Sequence, residues 1–178
     1  CIIASTSTIH GSSYLEYLKP TLSTHFTDID EVLFIPYARP SGITYDEYTA
    51  KAQFGLKPLG KVVKGIHQFK NPQKTIENAQ AIFVGGGNTF LLVKTLQDQK
   101  LMSVLKEKII SGTPYLGTSA GSNICGLTMQ TTNDMPIVMP QSFETLCILP
   151  FNINAHYIEP DENSTHKGET RRTRLKEF

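Results

Sequence analysis

Tyr115-Leu116-Gly117-Thr118-Ser119-Ala120-Gly121 constrains this chain more than any other stretch. A short apolar run reads as a strand, Gly-x-Ser-x-Gly follows at once, and a helix is expected to begin at or just after Ala120. A turn that tight has no room for side chains two residues before and after its apex, so both positions are glycine and the apex serine is strained. Such a turn sits at the end of a strand in an open α/β sheet and pushes its hydroxyl into the crevice where these sheets bind ligands. Ser119 therefore reads as a nucleophile. The N–H of Ala120, at the helix start, faces the same space and suits a developing oxyanion.

Short apolar runs alternate with amphipathic stretches along most of the chain, the pattern of a mostly parallel sheet with helices on both faces. Strands are expected at Ile2–Ser5, Val32–Ile35, Lys61–His67, Ala81–Val84 and Tyr115–Thr118. The unbroken apolarity of Ala81-Ile82-Phe83-Val84 marks a strand buried on both faces. Helices are expected from Ser12 to about His25, broken near Pro20, then from Thr44 to about Gly55, Thr89 to Gln97 and Met102 to Ser111. Thr44 with Glu47 three residues on fits a capping box, and Asn71-Pro72 caps a further short helix.

Beyond Asn123 the pattern is less regular. Ile137-Val138-Met139 and Ile148-Leu149 read as short strands, Asn152–Ala155 as a strand leading to His156, and His166–Phe178 as a charged helix. With 178 residues, the chain is long enough for one α/β domain with a substantial core. It opens on a strand already under way and stops in mid-helix. Residues are accordingly expected before Cys1 and after Phe178.

A net charge of +1 supplies no bulk attraction to nucleic acid or an anionic membrane. No apolar run approaches the roughly 20 residues that span a bilayer, and the first residues lack the features of a secretory signal. Cys1, Cys125 and Cys147 are odd in number and lack metal-ligand spacing, which suits free thiols in the reducing cytoplasm. The five histidines include no i, i+4 pair, so a metal site has no support.

Gly85-Gly86-Gly87-Asn88-Thr89-Phe90 follows the fourth strand and opens the next helix. Its backbone N–H groups suit an anion, but the spacing is neither that of a P-loop nor of a dinucleotide fingerprint. In a serine hydrolase Gly87 would supply a second oxyanion donor. The loop also reads as a plain tight turn with Asn88 as helix cap. A serine nucleophile needs a base near neutral pH. His156, downstream of the elbow, is better placed than His10, His25 or His67. Asp134 is the acid between Ser119 and His156 best suited to orient the imidazole; it reads equally as a turn residue before Pro136.

Taken in order, Phe34–Ala38, Asp46–Thr49, Val84–Phe90, the Ser119 elbow, Thr131–Val138, Asn154–His156 and His166–Arg171 resemble the peptidase E family, the α-aspartyl dipeptidases. The resemblance covers essentially the whole chain. It implies a three-layer sandwich like the class I glutamine amidotransferase domain (flavodoxin-like), and cofactor-free hydrolysis of small acidic dipeptides with an N-terminal aspartate. Ser119 and His156 match the family's nucleophile and base, Gly87 and Ala120 its oxyanion positions, and Asp134 an acid sometimes assigned to the relay. A glutamate also described as the third member would lie past Phe178. Arg171, with Asn88 as a polar supplement, is the expected donor to the substrate's aspartyl side chain, where a forked cation fits best; it reads equally as one of several solvated charges on a terminal helix, beside Arg172, Lys176 and Glu177. Thr118 and Ser122 depart from the aromatic and alanine common in the family, and residues 157–165 differ in length and sequence. Two other readings share these residues: a cyanophycinase-like β-aspartyl peptidase, and a non-catalytic relative that binds acidic peptides.

Overall fold

A computed structural model describes residues 1–159 and 169–178. Strands β1 (Ile2–Ala4), β2 (Glu31–Ile35), β3 (Val62–Gly65), β4 (Ala81–Val84) and β5 (Tyr115–Thr118) form one sheet. Its order is β1-β5-β4-β2-β3, and every neighbouring pair is parallel. The helices are α1 (Lys19–His25), α2 (Tyr45–Leu56), α3 (Pro72–Glu77), α4 (Thr89–Asp98), α5 (Met102–Ile110), α6 (Ala120–Asn123) and α7 (Arg171–Glu177).

Alternation along the strands builds two cores. Val32, Phe34, Phe83 and Leu116 pack with Leu22 and Phe26 around α1 and with Tyr48 and Leu56 of α2. Leu33, Ile35, Ile82 and Val84 pack with Ile76 of α3, Leu92 and Leu96 of α4, and Leu105 and Ile109 of α5. The Phe34 ring lies 4.9 Å from both Tyr48, which it meets edge to face, and Phe83, which is tilted against it, so the first core closes on an aromatic cluster. Fully burying a side chain such as Phe34 contributes about 1.5–3 kcal/mol.

Local signals start several helices. Thr44 Oγ1 accepts from the Glu47 N–H at 3.2 Å, and Glu47 Oε2 accepts from the Thr44 N–H at 2.7 Å, completing the capping box. Asn71 Oδ1 accepts from the Lys74 N–H, with Pro72 opening α3. The first helix is shorter than expected. A bond from the Ser13 N–H to Glu16 Oε2 and a left-handed Leu15 (φ 59°) make a turn first. Pro20 then stands at the start of α1, where a missing N–H costs nothing, rather than at a break.

Four other expectations are corrected. The strand expected to reach His67 ends at Gly65, because Gln68 Oε1 accepts the Gly65 N–H and turns Ile66–Gln68 into a 3-10 turn. Ile137–Met139 is not a strand; prolines at 136 and 140 remove ladder donors, and Ile137 and Met139 stand exposed. Ile148 and Leu149 both donate to one carbonyl, that of Cys125, instead of to a neighbouring strand. The segment before His156 is likewise held by side chains: Asn152 Oδ1 accepts from Leu127 and Thr128 N–H, and Thr131 Oγ1 donates to the Ile153 carbonyl. The helix expected from His166 is described from Arg171; residues 160–168 lie outside the described residues.

The register brings the strand ends together. Ala4 lies opposite Thr118, Gly117 opposite Val84, and Val84 opposite Ile35. Ser5, Ser119, Gly85 and Pro36 therefore leave the sheet side by side at its C-terminal edge, which is where open parallel sheets place their sites.

Candidate active site

Ser119 is the apex between β5 and α6, with φ 53° and ψ −111°. A non-glycine residue held there costs about 1–3 kcal/mol and persists only where its surroundings over-determine it. Here they do. The Ser119 N–H donates to the Ala4 carbonyl at 3.0 Å, and the Ser119 carbonyl accepts from the Ser122 and Asn123 N–H groups at 2.8 and 2.9 Å. A Cβ on Gly117 would strike the Gly121 carbonyl, and one on Gly121 would strike that of Val84. Both glycines are required by close backbone approach. Ser122 Oγ lies within 2.6 Å of the Ala4 carbonyl and 2.9 Å of the Gly117 carbonyl, pinning the elbow to β1.

His156 Nε2 lies 2.8 Å from Ser119 Oγ. The imidazole accepts the hydroxyl proton in the tautomer that carries its own proton on Nδ1. Among the described residues none accepts a bond from that Nδ1. The backbone of His156 is itself left-handed, with φ 60°. Its N–H donates to Ser5 Oγ at 2.7 Å. The end of β1 thus holds both residues, Ser119 through the Ala4 carbonyl and His156 through the Ser5 hydroxyl.

The glycine loop lies against Ser119: a Cβ on Gly86 would stand 2.9 Å from that of the serine. Tyr48 Oη donates to the Gly86 carbonyl at 3.0 Å inside the core. In a trans peptide the next N–H points the opposite way, so the Gly87 N–H is turned away from Tyr48. Gly87 has φ 146°, and any Cβ there would strike the Ala38 carbonyl, which also accepts the Asn88 N–H at 2.7 Å. Among the described residues neither the Gly87 N–H nor the Ala120 N–H has a bonding partner. Both are available to an anion.

Asp134 does not reach His156. Its Oδ2 accepts from the Thr89 N–H at 2.7 Å, the Thr89 hydroxyl at 2.5 Å and the Thr132 hydroxyl at 3.0 Å. It is an anion at the first turn of α4, the end where negative charge is favourable. Asn88 caps the same helix: Oδ1 accepts from the Leu91 N–H at 3.1 Å, while Nδ2 donates to the Met135 carbonyl at 2.8 Å. Arg171 opens α7 and, with Asn133, Asp134 and Asn154, lines a cleft of about 450 Å³. Its Nη1 is buried without a partner among the described residues, whereas Arg172 pairs with Glu159 at 2.6 Å and Arg174 with Glu169 at 3.6 Å.

The structure thus brings together Ser119, His156, Ala120 and the Gly87 loop, and leaves Asp134 on a different set of partners. Ser5, Tyr48, Thr89, Asn123 and Thr132 were not singled out from sequence. Tyr48, Thr89 and Thr132 lie inside the stretches that resemble the family, which did not mark them individually. Among the described residues no group of His, Cys, Asp and Glu could hold a metal ion, and no helix is long and apolar enough to cross a membrane.

Residues 1–178 match the family model described as Peptidase family S51. The chain is 44% identical over 180 residues to a Drosophila melanogaster protein named probable alpha-aspartyl dipeptidase, covering 99% of this chain and 74% of that one. It is 44% identical over 177 residues to a Streptomyces coelicolor protein named peptidase E, with 99% and 72% covered. Among solved structures, a candidate peptidase E from Listeria monocytogenes EGD-e superposes with a TM-score of 0.63 at 26% identity, over 75% of this chain and 70% of that one.

Proposed function

The chain belongs to peptidase family S51, and on that premise we propose that it hydrolyses dipeptides with an N-terminal aspartate through an acyl-enzyme on Ser119. One observation carries the reading: a strained, half-buried serine at the C-terminal end of β5 whose Oγ lies 2.8 Å from an imidazole nitrogen. His156 Nε2 takes the hydroxyl proton as Oγ attacks the scissile carbonyl carbon. The carbonyl oxygen becomes an oxyanion, held by the N–H groups of Gly87 and Ala120. Collapse breaks the C–N bond, and the imidazolium returns the proton to the leaving amine. Water, deprotonated by the same nitrogen, then attacks the ester and frees aspartate and Ser119.

Arg171 is the group proposed to receive the substrate's side-chain carboxylate, supported by an Nη1 that has no partner among the described residues and lies in a cleft shared with Asn154, two residues from the base. Asn88 has a second Nδ2 proton to add. The cytoplasm is the compartment proposed, in keeping with three unpaired cysteines.

The test compares release of the C-terminal amino acid from α- and β-linked Asp-X dipeptides by wild type and by Ser119→Ala. Turnover of the α-linked series that disappears in the variant, with the fold retained by circular dichroism, is the expected result. Undiminished turnover in Ser119→Ala would sink the acyl-enzyme, and preference for β-linked peptides would redirect the substrate reading.

A further inference from the structure

One buried polar side chain touches neither Ser119 Oγ nor the His156 ring, yet joins the base to the displaced acid. Asn123, the last residue of α6, is 4% exposed. Its Nδ2 donates to Thr89 Oγ1 at 3.1 Å and to Thr132 Oγ1 at 3.3 Å. Its Oδ1 accepts from the Ala155 N–H at 3.2 Å, one residue before His156.

Donor and acceptor counting fixes the direction of the Asn123 bonds. Each threonine hydroxyl has one proton: Thr89 gives its own to Asp134 Oδ2, and Thr132 shares its own between Asp134 Oδ2 at 3.0 Å and Thr89 Oγ1 at 3.2 Å. The hydroxyls can then act only as acceptors toward Asn123, so its NH2 must face them and its oxygen must face Ala155. An unbroken chain runs from the Asp134 carboxylate through two hydroxyls and one amide to the N–H of Ala155, the residue before the base. On the other side of that residue, Asn133 Nδ2 donates to the Ala155 carbonyl at 3.3 Å. The following N–H, that of His156, is held by Ser5. A left-handed histidine needs such restraint, because an unrestrained backbone would relax and carry the ring away from Ser119.

We infer that Asn123 is a positioning residue for the base: it transmits the anchorage of Asp134 to the backbone that carries His156, and Asp134 acts on the imidazole through that backbone and not by direct contact. The inference rests on the Ser119–His156 reading above, and assigns the acid a role through Asn123 instead of direct contact with Nδ1.

The test uses Asn123→Ala, the milder Thr132→Val, and Asp134→Asn, with three measurements. The first is amide hydrogen exchange at Ala155 and His156, which does not depend on activity. The second is the rate at which a fluorophosphonate labels Ser119. The third is kcat and KM for an Asp-X dipeptide across pH. Faster exchange at both amides is expected in Asn123→Ala. Labelling and kcat should fall about 10- to 100-fold with KM within about threefold, the scale of a base displaced by about an ångström. Thr132→Val should show the same split at smaller size. In Asp134→Asn the acid limb of kcat/KM should keep its position, since a carboxylate in direct contact would favour the imidazole cation and its loss would move that limb.

Unchanged exchange and labelling in a folded Asn123→Ala overturns the inference. Should that variant not fold, wild-type kcat in both Thr132→Val and Asp134→Asn overturns it equally. A shifted acid limb in Asp134→Asn overturns the indirect route. Failure of the wild type to label, with exchange responding as expected, sinks the hydrolase reading and leaves the anchorage standing.

Discussion

Replacing Gly87 by alanine separates the proposed oxyanion role of its N–H from the stability of the loop that carries it. At φ 146° a side chain is strained whatever the space around it, and that costs about 1–3 kcal/mol. The added methyl would also strike the Ala38 carbonyl, an overpacking worth about 1–3 kcal/mol if nothing moved. Together these reach about 2–6 kcal/mol, a large part of the 5–15 kcal/mol that holds a typical domain together. The cheaper response is for the Gly87–Asn88 peptide to shift, since the Ala38 carbonyl is backbone and is already engaged by the Asn88 N–H. A shift removes the Gly87 N–H from the oxyanion. Losing one such donor lowers kcat by about 100- to 1000-fold. The assay is steady-state kinetics on an Asp-X dipeptide beside a thermal melt. The expected result is a kcat lowered by about 100-fold, a KM little changed, and a Tm lowered by about 4–10 °C at this chain length. A folded variant with kcat within about threefold of wild type would refute the assignment of Gly87.

Two further outcomes follow from other parts of the molecule. Arg171→Met should lower kcat/KM for Asp-X by about 30-fold, the loss of a charged hydrogen bond worth about 2 kcal/mol, and affect Asn-X far less; equal losses on both would remove Arg171 from substrate recognition. The Cys125 thiol is raised by burial from 9.0 to about 12, so native protein keeps it neutral where the unfolded chain ionises. Its contribution to stability is full below about pH 9 and lost as pH rises toward 12. Burial raises Tyr115 and Tyr14 as well, adding to the same trend. The denaturant midpoint should fall steadily across that range, and iodoacetamide should modify the exposed Cys1 and Cys147 but spare Cys125 until the chain unfolds. A midpoint that rises with pH, or early modification of Cys125, would contradict this.

Much of the scaffold was legible because its signals are short. β4 and β5 coincide with the apolar runs Ala81–Val84 and Tyr115–Thr118, the Thr44–Glu47 box closes within three residues, and Asn88 and Asn71 cap the helices they precede. Residues 124–159 were less legible. There, amides and hydroxyls of Asn152, Thr131 and Asn154 bond to backbone in place of a strand ladder, and such bonds leave no periodicity to read.

The Ser119 elbow illustrates the division. Two glycines flanking a serine between an apolar strand and a helix are enough to specify the turn, because the clashes they avoid lie within the same few residues or on the neighbouring strand. Which side chains surround that serine is another matter. His156 meets it across 37 residues, Ala155 meets Asn123 across 32, and Asp134 meets Thr89 across 45. Sequence could nominate Asp134 as an acid lying between nucleophile and base, but it could not tell that the carboxylate would turn to the first turn of α4. Only the packed structure decided that, since a hydrogen bond depends on distance and direction in space, and residue types along a chain carry neither.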